Sequence, residues 1–229
     1  MKILCLFFSI LLPNIGLDAA TLRLPAATGI TGFHKINIIS MEEKKFENMV
    51  RQETDFSCGA AALATILRYG FRRQLSEADV VEGMYSVSDP EIVKKRGFSL
   101  LEMKKYLSKV GLLGRGYIVS DHKLHQLKRP AIVLMEINNY IHFVVIKKVI
   151  NNTFYIADPS LGNLEMDLPT FKKLWFNNIV FTILGDGYDH DTILVKMTAN
   201  PLLPNQTLKD MPLPATENLD YGLSHGVLF

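Results

Sequence analysis

Gln52-Glu-Thr-Asp-Phe-Ser-Cys58-Gly-Ala-Ala-Ala-Leu63 is the stretch on which the reading of this chain turns. Ser57 suits an N-cap, three alanines follow Gly59, and Gly70 suits the position just past a helix end, so the pattern predicts a helix over Cys58–Tyr69. A thiol at the first helical position lies in the positive end of the helix dipole, which favours the thiolate. Whether that thiol is structural or reactive depends on the compartment and on the other cysteine.

The other cysteine is Cys5. Residues 1–20 read Met-Lys, a run from Ile3 to Leu12 that is apolar except for Ser9, then Pro13-Asn14 and the small-residue end Asp18-Ala19-Ala20. This is the layout of a secretory signal with cleavage expected after Ala19 or Ala20, and Cys5 leaves with it. The run is too short to span a bilayer and no later run approaches that length, so the expected product is periplasmic or secreted, with no membrane span. A single cysteine cannot form an internal disulfide, and an unpaired thiol in an oxidising compartment is a poor structural device but a good nucleophile. Lys2 and Asp18 cancel, so the formal net charge stays at +2, too weak a balance to predict nucleic-acid or membrane-surface partners.

Residues 21–47 read as an N-terminal arm with a strand-like run at Lys35–Ser40 and a helical charged stretch at Glu42–Lys45. A second helix starts at Ser76, with Asp79 three residues on, and runs to about Met84. A third has the capping pair Ser99 and Glu102, apolar residues at Leu100, Met103, Leu107 and Val110, and an end at Gly111. After Gly114 the period changes to strands at Gly116–Val119, Ala131–Ile137, Ile141–Ile150, Phe154–Ala157 and Ile179–Leu184, with a short helix over Leu168–Phe176 that packs Phe171 and Trp175. Short polar connections favour an antiparallel sheet, and helices followed by strands make an α+β fold. One domain over residues 48–185 is expected, followed by an extended or disordered tail, residues 186–229, in which Pro201, Pro204, Pro212 and Pro214 break any periodicity.

Four residues make a chemical set. Cys58 is the candidate nucleophile. His142, in Tyr140-Ile-His-Phe-Val-Val-Ile146 on a mostly buried strand, is the candidate base. Asp158, at the end of the next strand, suits the acceptor that fixes the imidazole tautomer. Gln52 offers a side-chain amide to a developing oxyanion, and the Cys58 amide a second donor. Taken singly, each has a plainer reading: Cys58 a small core residue, His142 a satisfied core histidine, Asp158-Pro159 a turn. His122 and His125 imitate a metal pair but lack a third ligand at suitable spacing, so a solvated loop is expected there, and neither a metal nor another cofactor is called for.

Gln52-x5-Cys58-Gly59, His142-Phe143-Val144-Val145 and Asp158-Pro159, in that order, resemble the double-glycine leader peptidase domain that begins bacteriocin-exporting ABC transporters, a papain-like cysteine peptidase family. Matching elements span roughly residues 48–184, including Gly97-Phe98-Ser99-Leu100 at the entry to the third helix. The resemblance implies a helical part carrying the cysteine and an antiparallel sheet carrying the histidine and aspartate, with Cys58 as nucleophile, His142 as base, Asp158 as orienting residue and Gln52 as oxyanion donor. It also implies a peptide or protein substrate. The chain departs from the exporters in having no transporter behind the peptidase, in its secretion signal, and in Ser57 where they usually carry aspartate. In those respects it is closer to the stand-alone secreted members that serve Fap-type functional amyloid secretion systems, which implies a secretion-system component as partner. A non-hydrolytic peptidase-like binding module and a cysteine-dependent acyltransferase or amidase use the same residues and stay open at this point.

The sequence also poses a geometric problem. If Asn151-Asn152 is a two-residue turn, paired positions sum to a constant and Val145 faces Asp158, which puts His142 and Asp158 on opposite faces. The pair can meet only if the turn is longer or a bulge shifts the register by one residue.

Overall fold

The computed structural model describes residues 40–54, 56–137 and 140–196. The expected signal, the arm before residue 40 and the tail beyond residue 196 lie outside the described residues. Helices come first: α1 (Met41–Lys45), α2 (Cys58–Gly70), α3 (Glu77–Tyr85), α4 (Pro90–Arg96) and α5 (Leu100–Lys109). Strands follow, with two short helices among them: β1 (Leu113–Ile118), α6 (Asp121–Leu124), β2 (Ala131–Ile137), β3 (Tyr140–Ile150), β4 (Thr153–Asp158), β5 (Gly162–Asp167), α7 (Leu168–Leu174) and β6 (Trp175–Leu184). The six strands form one antiparallel sheet in the order β1-β6-β2-β3-β4-β5, so the α+β reading holds.

Helix starts follow local chemistry. Ser76 with Asp79, and Ser99 with Glu102, each form a complete capping box, in which the N-cap hydroxyl and the acidic side chain satisfy each other's backbone amides. Helix α4, not anticipated, is signalled by Asp89 as a capping acceptor and Pro90 in the first turn. Strand β5 was also missed, because its alternating polar residues are those of an edge strand that pairs on one side only.

Both sheet faces are covered. On one, Ile132, Leu134, Phe143, Val145 and Phe181 pack with α2, α3 and α5; on the other, Val133, Val144, Ile146, Phe154 and Ile156 pack with Leu124, Phe171 and Trp175. Strands β2 and β3 are therefore buried on both sides, which explains their unbroken apolar runs. Phe171 stacks on Phe154 with centroids 4.0 Å apart, and Trp175 donates its indole N–H to the Ile179 carbonyl at 3.0 Å, as the packing expected of them requires.

Three expectations need correction. Gly70 is the last residue of α2 and not the left-handed position after it; Arg72 takes the positive φ of 54° instead. The helix expected over Leu168–Phe176 stops at Leu174, where Trp175 enters β6. Residues 186–196, read as the start of the tail, pack on the end of α2: the Asp189 amide donates to the Gly70 carbonyl at 2.7 Å, Thr192 Oγ1 to the Tyr69 carbonyl at 2.5 Å, and Leu194 is buried. Tyr188 contributes an edge-to-face contact with Phe71 and lies under the Arg129 guanidinium. These are tertiary contacts without sequence periodicity, so no local pattern announced them.

The register problem is solved by a bulge. Asn151 and Asn152 have φ of 49° and 65°, the conformation of a two-residue hairpin turn, and Ile150 faces Thr153. The ladder then shifts between Ile146 and Lys148, leaving Lys147 as the extra residue, so Val145 faces Ala157. Asp158 consequently falls opposite Val144, on the face of His142. Beyond Asp158 the chain turns through Pro159–Leu161 to Gly162, which pairs with Asp158. Gly162 has φ of 95°, and a Cβ there would stand 2.8 Å from the Lys45 carbonyl oxygen. Gly162→Ala should therefore destabilise the protein by about 1–3 kcal/mol, read as a lowered urea midpoint; an unchanged midpoint would show that the turn adapts.

Candidate active site

Cys58 is the first residue of α2, and the alanines behind it are fully buried. Gly59 lets the helix start approach β3: a Cβ at that position would lie 2.6 Å from Met103 Cε and 3.1 Å from Phe143 Cδ2. The thiol thereby lies by the strand at Phe143, the residue after His142, where the Phe143 and Gly59 amides and the Tyr140 hydroxyl act to lower its pKa. Those donors stabilise a thiolate, but burial outweighs them and, with the Asp158 charge, pushes the Cys58 thiol up to about 11. The lowered pKa expected from the helix start alone is thus overturned, and the thiol needs a base. Nor does Ser57 cap through its side chain: its hydroxyl donates to the Glu77 carboxylate and lies 2.7 Å from the Thr54 carbonyl.

His142 and Asp158 are buried together at the sheet end. Nε2 of His142 lies 3.0 Å from Oδ2 of Asp158, at pairing distance but without the alignment of a full hydrogen bond. Misaligned pairs of this kind are usual in sites without substrate. The other carboxylate oxygen, Oδ1, accepts the Ser160 and Leu161 amides at 2.9 and 3.1 Å. Asp158 therefore holds its turn with one oxygen and faces the imidazole with the other. Burial pushes the His142 pKa down, yet the Asp158 charge and contact prevail and leave it above the usual histidine value. With Nε2 facing Asp158, Nδ1 is the ring nitrogen that remains for another partner.

Gln52 completes the group. Its amide N–H bonds the Pro159 carbonyl at 2.9 Å, its side-chain Nε2 donates to the Thr54 carbonyl at 2.6 Å, and Ser160 Oγ donates to its Oε1 at 2.9 Å. An amide nitrogen carries two protons, so the Thr54 bond leaves one to offer. Sequence reasoning missed Tyr140, Ser160 and Glu77. Tyr140 lies two residues before His142 with ring centroids 6.0 Å apart, and same-face spacing on a strand was the available signal. Away from this group, His122 lies beside Asp121 and Ser120, His125 beside the Phe154 ring. Among the described residues no helix is long and apolar enough to cross a membrane.

Residues 46–184 match the profile of the Peptidase C39 family. The chain belongs to that family. It is 41% identical over 220 residues to a Pseudomonas aeruginosa protein named "Probable functional amyloid protease FapD", with 96% of each chain covered. Its identity to the Pseudomonas fluorescens protein of the same name is 38% over 227 residues, covering 99% of this chain and 98% of the relative. The peptidase domain of Streptococcus ComA, a bifunctional ABC transporter involved in a quorum-sensing pathway, superposes with a TM-score of 0.51 at 22% identity, over 59% of this chain and 96% of that domain, which shows a shared fold. As a C39 member the chain is a cysteine peptidase with a papain-like fold.

Two expectations follow from the geometry. Gln52→Ala should lower substrate turnover by about a hundredfold, the scale of losing one oxyanion donor, while alkylation of Cys58 by iodoacetamide changes little. Equal losses in both assays would make Gln52 structural. Asp158 raises the pKa of both His142 and Cys58, so Asp158→Asn should move the acid limb of the alkylation-rate profile to lower pH. A limb that stays in place would remove Asp158 from any role in holding the imidazole's proton.

Proposed function

We propose that this chain is a periplasmic or secreted endopeptidase that cleaves a protein of a functional amyloid secretion system through Cys58, His142 and Asp158, with Gln52 as oxyanion donor. The buried His142–Asp158 pair, set beside the point where the Cys58 thiol meets β3, carries this reading. The named relatives at high coverage support the pathway, and the signal-like residues 1–20 support the compartment.

The chemistry follows from the placement. His142 Nδ1 takes the thiol proton as Cys58 Sγ attacks the scissile carbonyl carbon, and the carbonyl oxygen becomes an oxyanion that accepts from the Gln52 amide and the Cys58 backbone N–H. Asp158 stabilises the imidazolium, which then gives its proton to the leaving amine as the C–N bond breaks. Water, deprotonated by His142, attacks the thioester; the acid leaves and the thiol is restored. Because the thiol is pushed up to about 11, a base is required throughout and the helix dipole alone does not suffice.

A strain lacking the gene, complemented with the wild-type or the Cys58→Ala chain, provides the test. Mass spectrometry of the amyloid subunit and its export partners should find processed N-termini only with the wild-type chain, and His142→Ala should resemble Cys58→Ala. Cleavage restored by a folded Cys58→Ala chain would end the peptidase reading, and unprocessed partners in every strain would end the amyloid one.

A further inference from the structure

Resting on the reading of Gln52 as oxyanion donor, we propose that Glu77 is a positioning residue that aims the Gln52 amide from outside the segment carrying Gln52 and Cys58. Glu77 opens α3, but the capping box there belongs to Ser76 and Asp79, so the helix start does not need its side chain. It turns inward instead and is 4% exposed. A buried carboxylate is costly unless donors meet it, and here two do: the Glu53 amide at 3.0 Å and the Ser57 hydroxyl, both on Oε1.

Those two donors stand on either side of Thr54. The Thr54 carbonyl in turn accepts the Gln52 Nε2–H at 2.6 Å and the Ser57 amide at 3.2 Å. The carboxylate thus fixes residues 53 and 57, and the carbonyl between them fixes the direction of the Gln52 amide. The Ser57 hydroxyl has one proton for two acceptors, Glu77 and the Thr54 carbonyl, and the charged acceptor is the stronger. The hydroxyl is drawn toward that carboxylate and makes no capping bond to α2, where the Ser57 backbone, at φ −101° and ψ 9°, is not the extended one of a capping residue. Glu77 also faces Ser57 at the positive end of α2, a favourable place for an anion. Both contacts of Glu77 are to residues 53 and 57 and neither is to the thiol, so its effect is one of geometry.

Hydrolysis of p-nitrophenyl acetate passes through a tetrahedral oxyanion, whereas alkylation by iodoacetamide does not. With the full chain, and Cys58→Ala as background, Glu77→Leu should lower kcat for the ester about tenfold or more, with KM and the alkylation rate within about twofold. Glu77→Gln keeps an oxygen acceptor and should recover most of the loss, and Glu77→Leu added to Gln52→Ala should cost little more than Gln52→Ala alone. Normal ester turnover by a folded Glu77→Leu chain, a parallel fall in alkylation, or full additivity with Gln52→Ala would overturn the inference and leave the role of Gln52 standing. A silent Gln52→Ala, or no Cys58-dependent hydrolysis by the wild type, would overturn the oxyanion reading itself and the role of Glu77 with it. If Glu77→Leu fails to fold, Ser57→Ala removes one of the two donors with a small change of volume and carries the same expectation, and unchanged ester turnover then counts against the proposal.

Discussion

The close approach of the α2 start to β3 governs the site, and it depends on the absence of a side chain at Gly59. Met103 and Phe143 fill the space that a Cβ would need. The small residues Gly59–Ala62 behind the thiol allow the helix to lie buried against the sheet on one side and α3 and α5 on the other. Dense packing of this kind resists displacement, so the sulfur is held on a rigid element. The same packing excludes water, and that is why the thiol stays protonated despite the amides around it.

Protonation in the site is therefore a property of three groups together. Asp158 raises the proton affinity of both His142 and Cys58, and both are buried. Moving the thiol proton to the imidazole creates two opposite charges next to an existing negative one, an exchange that costs less in a dry pocket than ionising the thiol alone.

Much of this was legible in the sequence where local chemistry decides. The boxes Ser76/Asp79 and Ser99/Glu102 fixed two helix starts, the apolar runs marked β2 and β3, and Gln52, Cys58, His142 and Asp158 stood in an order that one α+β fold could assemble. Parity alone required an irregular hairpin, although nothing local placed the extra residue at Lys147. What escaped was set by partners distant in the chain. Ser57 reads as a cap, yet its backbone is not extended and its hydroxyl turns to Glu77, twenty residues on. Residues 186–196 read as tail until Gly70 and Tyr69 offer their carbonyls. β5 has the alternating composition of a strand with one wet edge, which weakens the signal that buried strands give.

The turn after β4 ties the separate parts of the site to one another. Ser160 gives its amide to Oδ1 of Asp158 and its hydroxyl to Oε1 of Gln52, and the carbonyl of Pro159 takes the Gln52 amide. The Asp158 carboxylate, proposed to orient the base, and the Gln52 amide, proposed for the oxyanion, are thus fixed to one turn, Pro159–Leu161, and Gly162 closes that turn against Lys45. Gln52 is anchored at both ends of its environment, by this turn on one side and by the Thr54 carbonyl on the other. A displacement of the turn would move base and oxyanion donor together. In the proposed roles, the geometry of acid–base transfer and that of oxyanion binding are for this reason not independent: both rest on a scaffold whose sequence signal, Asp158-Pro159, is that of an ordinary turn.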